Sequence, residues 1–216
     1  MAHVEPLDRA ALSDIEAVFT GAEAAMGFVP NSMLTMARMP QLTLAFSLLA
    51  GVTFGADIRP QLKAFAELAP EDPNAAEALP GEWVQLIAYC VNLTAGCRYC
   101  QAHTSHNGHR QGLDEEKLAA VLSYESSDLF SDAEKALIAL ALAAGEVPNA
   151  SSQAHFDALR AHFSERQIVQ IVAVISLFGF LNRWNDTMAT QLESAPIEFA
   201  QTVLADGGWQ IGKHAS

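Results

Sequence analysis

"VQLIAYCVNLTAGCRYCQAHTSHNGHRQGL", residues 84 to 113, is the stretch from which the rest of the chain is read. It begins as an apolar helix. "TAG", Thr94 to Gly96, offers a break, and a polar segment follows in which Cys97, Cys100, His103, His106 and His109 recur at every third residue. Gly112 supplies the stop, because a residue without Cβ readily takes the left-handed conformation that ends a helix. The stretch reads as two consecutive helices, the second carrying two thiols near its start.

Working outward, helical signals dominate. "SDIE" (13–16), "SDAE" (131–134) and "SERQ" (164–167) each place a serine three residues before Glu or Gln. In that arrangement hydroxyl and side chain satisfy the orphan N–H groups of a first turn reciprocally. Apolar residues at helical spacing follow, such as Leu137, Ile138, Leu140 and Ala141. Helices are expected at 8–26, 32–39, 41–54, 58–68, 81–94, 97–111, 114–124, 132–144, 151–162, 165–190 and 196–205. No segment alternates with a period of two between turn residues, so no sheet is expected. The loop "APEDPNAAEALPGE" (69–82) holds Pro70, Pro73 and Pro80, which exclude a continuous helix. The expected architecture is one all-α domain over 1–216, a helical bundle with an N-terminal arm at 1–69 and a core at 81–190 around the thiol helix. An internal echo suggests two related helical halves. "VQLIAYCVNLTAGCRYC" (84–100) aligns without gaps on "VQIVAVISLFGFLNRWN" (169–185), with Tyr99 on Trp184 and the two cysteines on Asn182 and Asn185. Two buried helices drawn from the same residue palette would produce the same echo.

Composition narrows the function. The 216 residues are 50% hydrophobic and only 17% charged, which calls for a large core and a buried oligomer interface. A net charge of −13 without a basic cluster argues against nucleic acid and anionic membrane as partners. The N-terminus lacks a basic n-region and an apolar h-region, so a cytoplasmic location is expected. The apolar run "IVQIVAVISLFGFL" (168–181) is interrupted by Gln170 and is short for a bilayer span, and a buried helix is the expectation.

The opening motif admits three chemistries. A Cys2His2 zinc site is disfavoured by helix geometry. Residues three apart rotate by about −60° and rise about 4.5 Å, which puts His106 about 180° around and about 13.5 Å along from Cys97. No metal or other cofactor is expected. A redox centre fits better. Cys97 and Cys100 at i, i+3 lie within disulfide reach. At a helix N-terminus unpaired N–H groups and the dipole stabilise a thiolate. His103, one turn on, can relay a proton. The third possibility, a plain polar face, suits His106 and His109, expected in solvent or at a subunit contact. Cys90, within "WVQLIAYCV", reads as a small core residue.

At these residues the sequence resembles the carboxymuconolactone decarboxylase superfamily on its alkylhydroperoxidase D-like side. The resemblance lies in the apolar helix, the break, the C-x-Y-C motif with Tyr99 between the thiols, a histidine, and a helix ending in "GL". It extends to "GFVPNSMLTMARMPQL" (27–42), "FSDAEKALIALALAAGEVPN" (130–149) and "FSERQIVQIVAVISLFGFLNRWND" (163–186). It implies an all-helical homo-oligomer that reduces hydroperoxides through a cysteine pair, with an external dithiol or protein as reductant. It also implies that Cys100 attacks and Cys97 resolves. Two positions depart from the pattern. The family histidine falls on Thr104, with His103 one earlier. The family glutamate falls on Gln85, which cannot accept a proton near pH 7, so Glu82 one turn earlier is the carboxylate expected in its place. The candidate site is therefore Cys100, Cys97, His103, Glu82, Gln85 and Tyr99. Competing readings are a cofactor-free decarboxylase or isomerase of the same superfamily, for which Arg98 and Arg183 are the nameable carboxylate-binding groups, and a redox sensor without turnover.

Overall fold

Leu86 to Asn92 are buried without interruption, so the helix they form is apolar on every side and belongs in the middle of a bundle. The computed structural model describes residues 3–68 and 71–215, and among them it holds eleven α-helices and no strand. They are α1 (Glu16–Met26), α2 (Asn31–Met36), α3 (Pro40–Thr53), α4 (Arg59–Leu68), α5 (Gly81–Ala95), α6 (Arg98–Arg110), α7 (Glu115–Ala120), α8 (Asp132–Gly145), α9 (Gln153–Arg160), α10 (Glu165–Met188) and α11 (Ser194–Val203). The all-α class expected from the sequence is the class observed. Residues 69 and 70, where the expected arm ends and the proline-rich loop begins, lie outside the described residues.

The chain forms two compact units. The first runs to Ala78 and takes in Glu165–Val169. Its core is Ile15, Val18, Phe19, Met33, Ala37 and Leu44. Arg166 and Asp72, both nearly buried, form an ion pair of 2.6 Å inside it. The expected helix at 8–26 is shorter than its pattern implied. Asp8 accepts the Ala10 N–H, Ser13 turns its hydroxyl to Asp14, and Arg9 to Ile15 forms two short 3₁₀ turns before α1 begins at Glu16. Ser13 lies inside the second 3₁₀ turn and Ile15 takes the N-cap position of α1, so Ser13 does not cap that helix.

The second unit spans Leu79–Ser164 and Gln170–Ser216 and is built around α5, which packs on α6 and α8. α11 lies on α6, and α9 lies on α8. The turn between α5 and α6 is made by Gly96 at φ +75°, so the two helices run back along one another. Gly112 at φ +96° ends α6 in a Schellman arrangement, with Leu113 N–H on the Gly108 carbonyl and Gly112 N–H on that of His109. The capping box expected at Ser131 and Glu134 is present. The internal echo does not survive as a repeated geometry. Residues 84–100 break at Gly96, whereas 169–185 run uninterrupted inside α10. The expectation of a buried helix at 168–181 holds for one face of α10 only. Ile171, Ile175, Asn182 and Asn185 are buried, while Leu177, Phe180, Trp184 and Met188 are exposed. By length and composition alone, α10 is the one helix among the described residues that could cross a membrane.

Candidate active site at the start of α6

Cys97 is the N-cap of α6. Its Sγ accepts the backbone N–H of Cys100 at 3.4 Å, and its carbonyl accepts that of Gln101. A thiol therefore holds the capping position that a serine or aspartate usually fills. Both cysteines are unbridged and buried, Cys97 at 0% and Cys100 at 3% exposure. Two donors reach the Cys100 sulfur. The Cys97 thiol donates to the Cys100 sulfur, and Asn185 Nδ2 donates to Cys100 Sγ at 3.5 Å from α10. The hydrogen bond from Cys97, joined by that from Asn185, holds the Cys100 thiol below its usual range against the opposing effect of burial. Cys97 moves the other way, because its proton is shared with Cys100 and burial disfavours its charge. The pair is thus uneven, with the Cys100 thiol shifted down and the Cys97 thiol shifted up.

The neighbouring polar groups on α6 point two ways. Thr104, at the family's histidine position, is buried. Its hydroxyl donates to the Cys100 carbonyl at 2.8 Å and accepts from Asn92 Nδ2 at 3.0 Å. Asn92 also donates to the Cys100 carbonyl, and Gln101 donates back to the Asn92 carbonyl. These bonds lock α5 to α6 at the height of the thiols. His103 and Tyr99 occupy the outer side of α6. The Glu193 carboxylate, just before α11, takes His103 Nε2 at 2.7 Å on one oxygen and the Tyr99 hydroxyl at 3.2 Å on the other. The two rings lie 4.5 Å apart. Burial and the Glu193 charge push Tyr99 up to about 12. Glu193 itself is pulled down, since the bonds from His103 and Tyr99 outweigh its partial burial.

Glu82 and Gln85 are not brought to this place. Because α6 folds back on α5 at Gly96, the start of α5 meets the end of α6. Gln85 Cβ packs 3.4 Å from where a Cβ on Gly108 would stand, and Gly108 is about 12 Å of helix beyond Cys100. Gln85 Oε1 is buried with no hydrogen-bond partner. Glu82, in the first turn of α5, is about 20 Å of helix from its end. The expected relay from these residues to His103 is corrected on this geometry, and Glu193 is the carboxylate that reaches His103. His106 and His109 lean on Phe199 of α11 at 5.7 and 5.2 Å, and His109 Nδ1 is 3.0 Å from Glu115, so neither approaches the thiols. Cys90 is fully buried in α5, where burial raises its thiol far above the usual range.

Four contributors lie outside the motif: Glu193, Asn185, Asp186 and His214. Asp186 and His214 stand beside Cys97, with Asp186 Oδ1 3.2 Å from His214 Nε2 and the His214 ring 5.7 Å from that of Tyr99. Only Asn185 left a trace in the sequence, as the residue that aligns with Cys100 in the echo. The others come from distant elements with no periodic signature. Beside Asp186 opens a cavity of about 600 Å³, lined among others by Asn182, Arg183, Asp186 and Lys213. Asn182 is buried there with both amide atoms unpartnered. Arg183 lines the cavity; Arg98 instead donates to Gln101.

The chain as a whole has solved counterparts. The crystal structure of the debrominase Bmp8 is 34% identical, covers 93% of this chain and 97% of its own, and superposes with a TM-score of 0.56. The chain belongs to the same family as the debrominase Bmp8. A second structure of that enzyme, a cysteine-to-alanine variant in complex with 2,3,4-tribromopyrrole, is 33% identical over 94% of this chain, also with a TM-score of 0.56. A 92-residue stretch is 32% identical to the uncharacterized protein YnjA of Escherichia coli (strain K12), and the match spans half of that relative's length. No family model matches the chain. Within the Bmp8 family, this member carries its paired cysteines at the head of α6.

Proposed function

We propose that this protein is a dithiol reductase of the alkylhydroperoxidase D-like kind, which removes an electrophilic atom from a small substrate through Cys100 and Cys97. The observation that supports it most is the convergence of hydrogen-bond donors on the Cys100 sulfur, next to a second buried thiol three residues away. With a hydroperoxide, the Cys100 thiolate attacks the outer oxygen and the alkoxide leaves to take a proton, forming a sulfenic acid. The Cys97 thiol then displaces water from that sulfenic acid and closes the disulfide. An external dithiol returns both cysteines to thiols and is itself oxidised. His103, oriented by Glu193, supplies or accepts the proton at the mouth of the site, and Tyr99 fixes the same carboxylate.

A second substrate is favoured by the Bmp8 likeness, a small brominated ring. Cys100 then attacks the bromine, the ring carbon takes a proton, and Cys97 displaces bromide to give the same disulfide. The cavity beside Asp186 is of the size small-molecule sites occupy, and it offers an unpartnered amide and the Arg183 guanidinium to an acidic ring, with Glu146 and the Lys213–Asp186 pair also on its wall. Mass spectrometry of the reduced chain after one equivalent of hydroperoxide, and separately of tribromopyrrole, tests the reading. A Cys97–Cys100 disulfide in either arm supports it, with bromide release or peroxide loss naming the substrate. Two free thiols after both treatments sink it.

A further inference from the structure

Around Cys97, α10 and the residues that follow α11 assemble a second set of donors. The Cys97 sulfur, one Asp186 oxygen and one His214 ring nitrogen all lie within 4.8 Å of one another. His214 is 1% exposed and its orientation is fixed. Its Nδ1 is 2.8 Å from the Thr190 carbonyl oxygen, which can only accept, so Nδ1 carries the proton. Nε2 faces Asp186 Oδ1 at 3.2 Å, donating to it when the ring is an imidazolium and turning a lone pair toward it when the ring is neutral. In the neutral ring two acceptors face each other, and a metal ion between them takes the place of the second proton. Imidazole ligands are commonly held in this way, one nitrogen donating to a backbone carbonyl and the other turned to the metal. The 3.2 Å separation also matches the edge of a tetrahedron, about 3.3 Å for bonds near 2.0 Å. The other Asp186 oxygen is 3.5 Å from Lys213 Nζ, which steadies the carboxylate from outside.

We propose that Cys97, Asp186 and His214 form a site for a zinc-class divalent cation that caps the resolving thiol. Thiolate, carboxylate and imidazole are the donors zinc takes, and three protein ligands leave a fourth position open. Binding displaces the Cys97 proton to solvent and moves no electrons. With the ion in place Cys97 cannot attack an oxidised Cys100, so the metal holds the pair reduced and suppresses disulfide formation. The disulfide in turn removes the thiolate ligand, and oxidised protein does not bind the ion. This consequence rests on the dithiol reading above; the site itself does not.

The test is titration of the reduced full-length chain with Co²⁺. The expected result is one ion per chain, with a thiolate-to-cobalt charge-transfer band and the visible bands of a tetrahedral site. Cys97→Ser removes the charge-transfer band. Asp186→Asn, which preserves shape in case His214→Ala does not fold, weakens binding by at least tenfold. Cys100→Ser and Cys90→Ser leave the spectrum intact. A wild-type chain without the charge-transfer band overturns the proposal, as does a band that persists unchanged in both Asp186→Asn and His214→Ala. Disulfide formation is measured in parallel with chelator present. Disulfide without a cobalt band rejects the metal site alone, and a cobalt band without disulfide rejects the dithiol reading alone.

Discussion

At the scale of single residues, the division of labour between the two sulfurs makes the sharpest predictions. Cys100→Ser is expected to abolish reaction with either substrate. Cys97→Ser should leave the attacking thiol without its partner, so that peroxide treatment traps a sulfenic acid detectable with a dimedone-type probe. The reverse pattern would exchange their roles. On the outer side of α6, His103→Ala is expected to slow disulfide formation by about 10²-fold, the lower range for a positioned acid or base, and Glu193→Gln by a smaller factor in the same direction. Stopped-flow measurement of thiol loss reads both. Glu82→Gln and Gln85→Glu serve as controls. Both positions face the far end of α6, and an unchanged rate in each is the expected outcome.

At the scale of elements, the packing of α8 on α5 depends on close approach as much as on apolar burial. Gly145, at the end of α8, lies where an added Cβ would stand 2.9 Å from Thr94 Cβ and 3.2 Å from the Val91 carbonyl. Gly145→Ala drives the new Cβ into the Thr94 side chain and the Val91 carbonyl and is expected to destabilise by about 1–3 kcal/mol in urea unfolding, despite the better helix propensity of alanine. The start of α8 gives the pH dependence. Glu134 is almost buried, which raises its pKa, but the bonds from Lys117 and from Ser131 outweigh burial and leave it lowered. A depressed folded-state pKa means stability that is complete above the ordinary glutamate range and is lost as pH falls through the folded value. Thermal midpoints measured from pH 6 down to 3 should fall, and Glu134→Gln should flatten that fall. Equal slopes in both proteins would remove Glu134 from the account.

At the scale of the whole molecule, α10 has two faces with different work. Asn182, Asn185 and Asp186 line the interior beside the thiols and the cavity, while Leu177, Phe180, Trp184 and Met188 stand exposed along the other side. Phe180 and Trp184 stack at 6.1 Å, forming a ready apolar plate. A chain with half its residues hydrophobic and 17% charged is expected to cover such a plate with a second copy of itself. Light scattering should return an oligomer, and the double variant Phe180→Glu, Trp184→Glu should return a monomer that keeps its helical circular dichroism. A monomeric wild type would reject this.

What the sequence determined by itself were the local features. Capping at Ser131, the stops at Gly96 and Gly112, the run of apolar residues in α5 and the three-residue spacing of Cys97 and Cys100 are short-range patterns whose physics acts within one or two turns. The all-α class and the thiol pair at a helix start were legible for that reason. Tertiary structure alone decided the company those thiols keep. The antiparallel return at Gly96 sent Glu82 and Gln85 away from Cys97, and the packing of α10, the approach to α11 and the C-terminal tail brought Asn185, Asp186, Glu193 and His214 toward it. Residues so far apart in the chain meet because apolar faces are buried against one another. A period read along one helix specifies that a face will be buried, and leaves open which polar groups of other elements arrive beside it.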